Sequence, residues 1–229
     1  MIHPILCEVK YDCWFLEEII NRIEPKKLIP LDQDFGKFQK CYRSEYHQNN
    51  QSWIILSDGG HDLINKYIPK IISNCFAVNK NNPMHYIVLK DSDGCEPKYL
   101  LGIYHKSLSE YIHTKNIKYT DLEIDLAKNT IVLISNRDNR YSFYFHFVFI
   151  PQSFEKKLID KSFDKERSLI KYRTKLEKKD PHDALTVIAE SLNIKDKETL
   201  IRNSVLNKWF YEEEWYKSLI RCISAIKTL

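Results

Sequence analysis

The chain has 229 residues, of which 43% are hydrophobic and 29% charged, and its formal net charge is +4. This composition supports a buried core and excludes a chain that is disordered throughout, while 5 glycines and 8 prolines exclude a fibrous or linker-rich protein. No apolar run is long enough to span a membrane, since residues 141–150, the most apolar, are interrupted by Ser142 and His146.

The first half of the chain alternates apolar strands with amphipathic helices. The predicted elements are a strand at 5–9, a helix at 12–24, a strand at 53–56, a helix at 63–72 and a strand at 86–89. Pro69 is expected to kink the second helix, and the polar residues 31–51 are expected to form a loop or irregular excursion. Buried strands separated by helices predict a parallel sheet with right-handed crossovers.

The second half of the chain is predicted to be mostly helical. After a helix at 108–115, the strands 130–135 and 141–150 are joined by the polar residues 136–140, which indicates an antiparallel edge hairpin. Four helical segments follow, at 154–179, 183–192, 197–206 and 209–226. We therefore predict an α/β domain at 1–150 and a helical C-terminal extension at 151–229, with Pro181 as a further candidate boundary.

The six cysteines give no sign of a metal or disulfide framework, because no two of them have the CxxC spacing of a zinc site. The N-terminus has neither a basic region nor a cleavage site of small residues before its first strand-like run. We therefore expect reduced thiols that mostly fill the core, in a soluble, cytoplasmic protein.

Positive charge is concentrated in one segment. Residues 155–180 contain ten Lys or Arg and six Asp or Glu, so this segment accounts for the whole net charge. Such an excess could bind an anionic polymer. The interleaved acids are equally typical of a solvated helical face.

Polar residues follow three of the predicted strands at the edge where an open parallel sheet binds its ligands. Glu8 follows the first strand, Asp58-Gly59-Gly60 the second, and Asp91-Ser92-Asp93 the third. Gathered carboxylates repel one another unless a cation lies between them. Because Mg²⁺ prefers oxygen ligands and often bridges a carboxylate to a substrate phosphate, we predict a Mg²⁺ (or Mn²⁺) site.

These segments resemble the toprim family over about residues 3–150. Residues 8–16 resemble the toprim opening, residues 58–61 its Gly-Gly turn, and residues 86–94 its Asp-x-Asp strand. The similarity is closest to the toprim domains of overcoming-lysogenisation-defect-type nucleases and their small stand-alone relatives. Asp-x-Asp alone is also an ordinary turn sequence, so the order of the three elements carries the resemblance.

The resemblance implies a toprim-like fold and a set of catalytic and metal-binding acids. Asp91 and Asp93 would hold Mg²⁺, Glu8 would act as metal ligand or general acid/base, and Asp12 would be a fourth acid. One departure is Val9, which stands where the family usually has Gly, and its Cβ narrows the approach of a phosphate backbone.

The resemblance also suggests how phosphate is bound. Gly59 and Gly60 would permit a tight turn that offers backbone N–H groups at a helix start. Lys10, Arg137 and Arg140 are further candidate phosphate contacts, by their charge alone.

Two functions follow as expectations. The first is Mg²⁺-dependent phosphodiester chemistry on nucleic acid, most simply that of a nuclease, with the basic segment along the backbone. The second is a non-catalytic toprim-like module that binds nucleic acid or protein and works with a separate ATPase or helicase partner. Primase- or topoisomerase-like chemistry is less favoured.

Glu155, which comes late in the sequence, could be a further acid of the site, or an ordinary acid at the start of a helix.

Overall fold

A seven-stranded sheet organises the molecule in the computed structural model, which describes residues 2–23, 28–32, 34–47, 52–59, 63–75, 83–115, 117, 120–135 and 142–228. The strands are Ile2–Cys7 (β1), Leu28–Asp32 (β2), Ser52–Ser57 (β3), Met84–Asp91 (β4), Thr120–Asp125 (β5), Thr130–Ser135 (β6) and Ser142–Ile150 (β7). Their order across the sheet is β2-β3-β1-β4-β7-β6-β5.

Helices follow most of the strands. The α-helices are Lys10–Ile23 (α1), Phe35–His47 (α2), Ile68–Cys75 (α3), Pro97–Thr114 (α4), Phe154–Lys165 (α5), Arg173–Leu176 (α6), Pro181–Ser191 (α7), Lys197–Leu206 (α8) and Glu214–Lys227 (α9). A π-helical turn, Leu63–Tyr67, precedes α3, and a 3-10 helix, Arg167–Tyr172, precedes α6. Among the described residues, no helix is both long and apolar enough to cross a bilayer.

The predicted mostly parallel sheet with an antiparallel edge is confirmed. Strands β2, β3, β1, β4 and β7 run parallel, and β7, β6 and β5 run antiparallel to their neighbours. The strands β6 and β7 form the predicted hairpin, although its joint at 136–140 lies outside the described residues. The central strands read as continuous apolar runs because both faces of the sheet are covered.

Two hydrophobic cores lie on the two faces of the sheet. Alternate residues of β1 divide between them, since Ile5 packs with α1 and the C-terminal helices while Leu6 packs with α3 and α4. Phe15 of α1 lies within 4.7–6.1 Å, between ring centroids, of four aromatic residues, Phe154, Phe210, Trp215 and Tyr216. The helical C-terminal part thus covers one face of the sheet and shares its core. The predicted boundary after residue 150 stays a prediction.

One predicted element is wrong, and one strand was missed. Residues 31–51 are not an irregular excursion, because β2 ends at Asp32 and α2 follows it. Phe38 is the buried anchor of α2 among the side chains that the structure describes there, so the mixed polar sequence carries only a weak helical signal. The strand β5 was not predicted, since its exposed Asp121 and Glu123 give it the polarity of a loop. Edge strands commonly carry such charges.

Other helix bounds also differ from the predictions. Helix α4 begins at Pro97, since proline suits the first turn of a helix, and not at 108. The charged segment 154–179 is broken into α5, a 3-10 helix and α6, and Pro181 begins α7. Pro69 is the second residue of α3, directly after the π-helical turn, and the kink predicted there stays a prediction.

Candidate functional site

Glu8 and the end of β4 meet at the carboxyl edge of the sheet. The register pairs Leu6 with Val88, so the chain after β1 continues beside Lys90 and Asp91. Glu8 accepts a hydrogen bond at Oε2 from the backbone N–H of Asp91 at 2.9 Å. Its Oε1 forms an ion pair with Lys90 Nζ, and the side chains of the pair are only 19% and 17% exposed.

Asp12 caps the start of helix α1, next to Glu8. Its Oδ2 accepts hydrogen bonds from the backbone N–H groups of Glu8 at 3.2 Å and Val9 at 3.1 Å. These bonds satisfy two N–H groups at the start of the helix. The residue is 2% exposed, and its Oδ1 is buried without a hydrogen-bond partner. A buried carboxylate oxygen without a partner is costly and indicates a missing cation or donor.

Asp91 joins the cluster through helix α5. Its Oδ1 accepts a hydrogen bond from the backbone N–H of Phe154 at 3.1 Å, where α5 begins. The next residue, Glu155, is 7% exposed. We call Glu8, Asp12, Asp91 and Glu155 the acidic cluster.

The carboxylates of the acidic cluster destabilise one another's charged forms. Burial raises the pKa of Asp91 to about 9, and the charges of Asp12, Glu8 and Glu155 add to this rise. Burial raises the pKa of Asp12 well above its usual value, and the hydrogen bond from the Val9 N–H only partly opposes it. The cluster therefore holds too little positive charge for all its carboxyls to ionise.

Lys90 supplies the positive charge that lies against the cluster. Burial alone would lower the pKa of Lys90, but the Glu8 carboxylate more than offsets this, so the pKa is raised. Lys90 was not a predicted site residue. Its signal in the sequence was its place in the strand end beside Asp91.

The carboxylates of the acidic cluster are chemically suited to a hard divalent cation, but their arrangement in the structure is not. Carboxylate oxygens are the ligands that Mg²⁺ prefers, and Asp12 Oδ1 is the orphaned buried oxygen that a cation would satisfy. Among the described residues, however, no group of three or more His, Cys, Asp or Glu side chains is arranged to hold a metal ion.

Asp93 lies apart from the acidic cluster. It is exposed in the turn after β4, with φ at 48°, and its N–H donates to the Gln152 carbonyl at 3.1 Å. With Ser153 and Lys156 it lines an open cavity of about 340 Å³. The structure therefore groups Asp91 with Glu8 and Asp12, while the predicted partner Asp93 faces the open side of the same edge.

The predicted phosphate contacts are only partly described. Gly59 has a φ of 70°, which a glycine adopts readily, and it follows the buried Asp58. Lys10 is exposed as the first residue of α1. Gly60, Arg137 and Arg140 lie outside the described residues.

A pair of histidines was missed because its members are far apart in sequence. His85 of β4 and His146 of β7 lie on neighbouring strands, with His85 Nδ1 2.9 Å from His146 Nε2. His146 Nδ1 lies 3.0 Å from Thr130 Oγ1. Burial lowers the pKa of His146 to about 4, and the neighbouring His85 and Lys128 add to this effect.

Because of the histidine pair, we expect the free energy of unfolding to fall in acid. The pKa of His146 is about 4 when folded and about 6.5 when unfolded, so its contribution is present above 6.5 and is lost as pH falls toward 4. We expect wild type to lose about 1–2 kcal/mol more stability than His146→Gln between about pH 7 and 5, after discounting for partial exposure. Urea unfolding of both proteins at the two pH values measures this, and equal losses would contradict it.

Lys90 is predicted to stabilise the protein when no metal is present. In Lys90→Met, the Glu8 carboxylate loses its ammonium partner. We expect a loss of about 1–2 kcal/mol in the free energy of unfolding near neutral pH, less than for a fully buried pair. Lys128→Met, which breaks an exposed ion pair with Asp125, is the matched control and should change stability little. A loss in the control as large as in Lys90→Met would contradict the assignment.

Comparisons with known proteins support the fold alone. No family model matches the chain, and no curated protein matches it. Among solved structures, the chain is similar to hypothetical protein PH0156 from Pyrococcus horikoshii OT3, with a TM-score of 0.53 and 14% sequence identity. The match covers 99% of this chain and 95% of that chain, so the mixed α/β architecture is shared over the full alignment. The toprim resemblance stays a prediction.

Proposed function

We propose that the chain binds Mg²⁺ or Mn²⁺ at the acidic cluster and cleaves phosphodiester bonds in nucleic acid, as a nuclease. The observation that carries this proposal is that burial and the charges of Glu8 and Glu155, at the end of β1 and in α5, raise the pKa of Asp12 in α1 and of Asp91 at the end of β4, while Asp12 Oδ1 is buried without a hydrogen-bond partner. A structural cluster of this kind is normally neutralised by several cations. Here the cation in ion-pair contact with it, among the described residues, is Lys90.

Each residue has a distinct part in this proposal. When bound, the metal supplies charge stabilisation at a scissile phosphate. Asp91, whose pKa is about 9, holds a proton near neutral pH and would give up that proton in order to hold the metal. Glu8, which the Asp91 N–H and Lys90 hold, would act as the acid/base group, and Asp93 would meet substrate at the open side of the edge.

Cleavage assays test the proposal. Labelled DNA and RNA, single-stranded and duplex, are incubated with the protein in Mg²⁺, Mn²⁺ or EDTA. The proposal expects cleavage in the presence of either metal and none in EDTA. Absence of cleavage in every metal and substrate combination, with the protein folded, would contradict the nuclease.

A second candidate is the non-catalytic module that binds nucleic acid or protein beside a separate ATPase or helicase. Two features favour it: Lys90 is already paired with Glu8, and Val9 stands where the toprim family usually has Gly, so its Cβ would narrow the approach of a phosphate backbone. This reading expects metal binding by calorimetry without cleavage. Copurification with an ATPase that restores cleavage would connect the two candidates.

A further inference from the structure

Three aromatic rings lie together at the N-terminal ends of helices α1 and α7. We call Tyr11, Trp14 and His182 the aromatic platform. The Tyr11 ring centroid is 5.4 Å from that of Trp14 and 5.2 Å from that of His182. Tyr11 and Trp14 are half-buried against the core, and His182 is exposed. The platform therefore presents ring surface that the core does not fully cover.

Lysines border the aromatic platform. Lys10 Nζ lies 5.5 Å from the ring centroid of Trp14, and Lys197 Nζ lies 5.5 Å from that of Tyr11. A cation over an aromatic ring at a solvated site is held more weakly than a nucleobase stacked on one. A base can therefore replace either lysine on its ring, and the displaced ammonium group is then free to reach a phosphate.

Two cavities that share Lys156 lie between the turn after β4 and the start of helix α7. Lys156 lines both the cavity beside Asp93 and a second one of about 460 Å³. The second cavity is also lined by Lys179 and by Pro181, which directly precedes His182. Two acids line it as well, Asp160 and Glu177, and Glu177 is paired with Arg173 at 2.8 Å. A concave path thus runs from the turn after β4 to Pro181, next to the platform residue His182, with the exposed Lys156 and Lys179 along it.

We propose that this path binds single-stranded nucleic acid, with bases on the aromatic platform and phosphates at Lys156 and Lys179. Stacking on protein rings requires unpaired bases, which single strands offer and duplexes do not. Tyr11 directly precedes Asp12 in helix α1, so the platform and the acidic cluster share the start of that helix. The binding of the strand is inferred from the platform and the path. That the bound strand is then cleaved rests on the proposed function.

Binding in EDTA tests the path without cleavage. Fluorescence anisotropy is measured with labelled single-stranded DNA, single-stranded RNA and a duplex of the same sequence. The test variant is Tyr11→Leu with His182→Ala, and the matched control is Tyr99→Leu with His113→Ala, two exposed residues of α4. We expect the test variant to bind single strands about 10-fold more weakly or worse, and the control to bind as wild type does.

A second pair of substitutions keeps the test informative if Tyr11→Leu impairs folding. Lys156→Gln with Lys179→Gln changes two exposed side chains and should weaken binding at low salt and reduce its salt dependence. The path is overturned if wild type prefers the duplex, or if both pairs of substitutions leave single-strand affinity unchanged. If the protein binds single strands but does not cleave them in Mg²⁺, the nuclease proposal fails and the path remains supported. If the protein cleaves but both variants bind as wild type does, the path fails and the nuclease proposal remains supported. The ratio of DNA to RNA affinity identifies the natural strand.

Discussion

Replacing Asp91 by Asn is expected to reduce metal-dependent cleavage by about 100-fold or more, because charge stabilisation by a bound metal is worth several kcal/mol. The substitution keeps the shape of the side chain and its acceptor for the Phe154 N–H, which lies 3.1 Å from Asp91 Oδ1. It also mimics the protonated carboxyl, the form that a pKa of about 9 favours near neutral pH without metal. The variant has no carboxyl to ionise in the unfolded state, so without metal it should be more stable than wild type near neutral pH, by the stability that wild type loses as pH rises.

Asp121→Asn is the matched control for this experiment. Asp121 is exposed on β5, the strand at the far edge of the sheet, so the same chemical change is made away from the acidic cluster. Single-turnover cleavage rates of the three proteins, measured at saturating Mg²⁺, give the comparison. A wild-type rate in Asp91→Asn would remove Asp91 from the mechanism, and an equal loss in Asp121→Asn would show a non-specific effect.

The metal-free protein is expected to lose stability as pH rises. The Asp91 carboxyl keeps its proton up to about pH 9 when folded but only to about 4 when unfolded. The folded state thus binds more protons across this window, so its extra stability is complete below pH 4 and is lost as pH rises toward 9. Between about pH 5 and 8 we expect a loss of about 2–4 kcal/mol in the free energy of unfolding.

The pH dependence of stability that comes from Asp91 can be separated from the pH dependence that comes from the histidine pair. His146 acts with the opposite sign and below about pH 6.5, so the difference between wild type and Asp91→Asn isolates the carboxyl. Saturating Mg²⁺ should flatten the wild-type curve, because a ligand that binds only the folded state stabilises it. Urea unfolding along the pH series measures both effects. A wild-type curve that rises from pH 7 to 9 without metal would contradict the coupling within the cluster.

The parallel centre of the fold could be predicted because its strands are short apolar runs between amphipathic helices. Residues 86–89 of β4 are buried on both faces, and that is the signal their sequence carries. The elements at the edges could not be predicted in the same way. The strand β5 exposes its acids, and α2 buries Phe38 within an otherwise polar sequence, so neither has the periodicity of a core element.

The candidate site could be predicted in part because parallel strands end at a common edge. This rule places Glu8 beside Asp91 from sequence alone, as the structure does. It does not say which way a side chain turns in the loop beyond. Asp93 adopts a positive φ and faces the open side, while Glu155 reaches the cluster because Asp91 holds the start of α5. The pairing of Lys90 with Glu8 could be predicted only from the register of β1 against β4, and no local sequence motif encodes that register.

The account depends on one divalent ion bound by the acidic cluster. Crystals soaked in Mn²⁺, with anomalous diffraction collected above the manganese absorption edge, locate that ion directly. The prediction is a single strong anomalous peak within about 2.5 Å of carboxylate oxygens of Asp12 and Asp91, with Glu8 or Glu155 turned toward it and Lys90 displaced. No peak at the cluster in saturating Mn²⁺, with Lys90 still paired to Glu8, would contradict it.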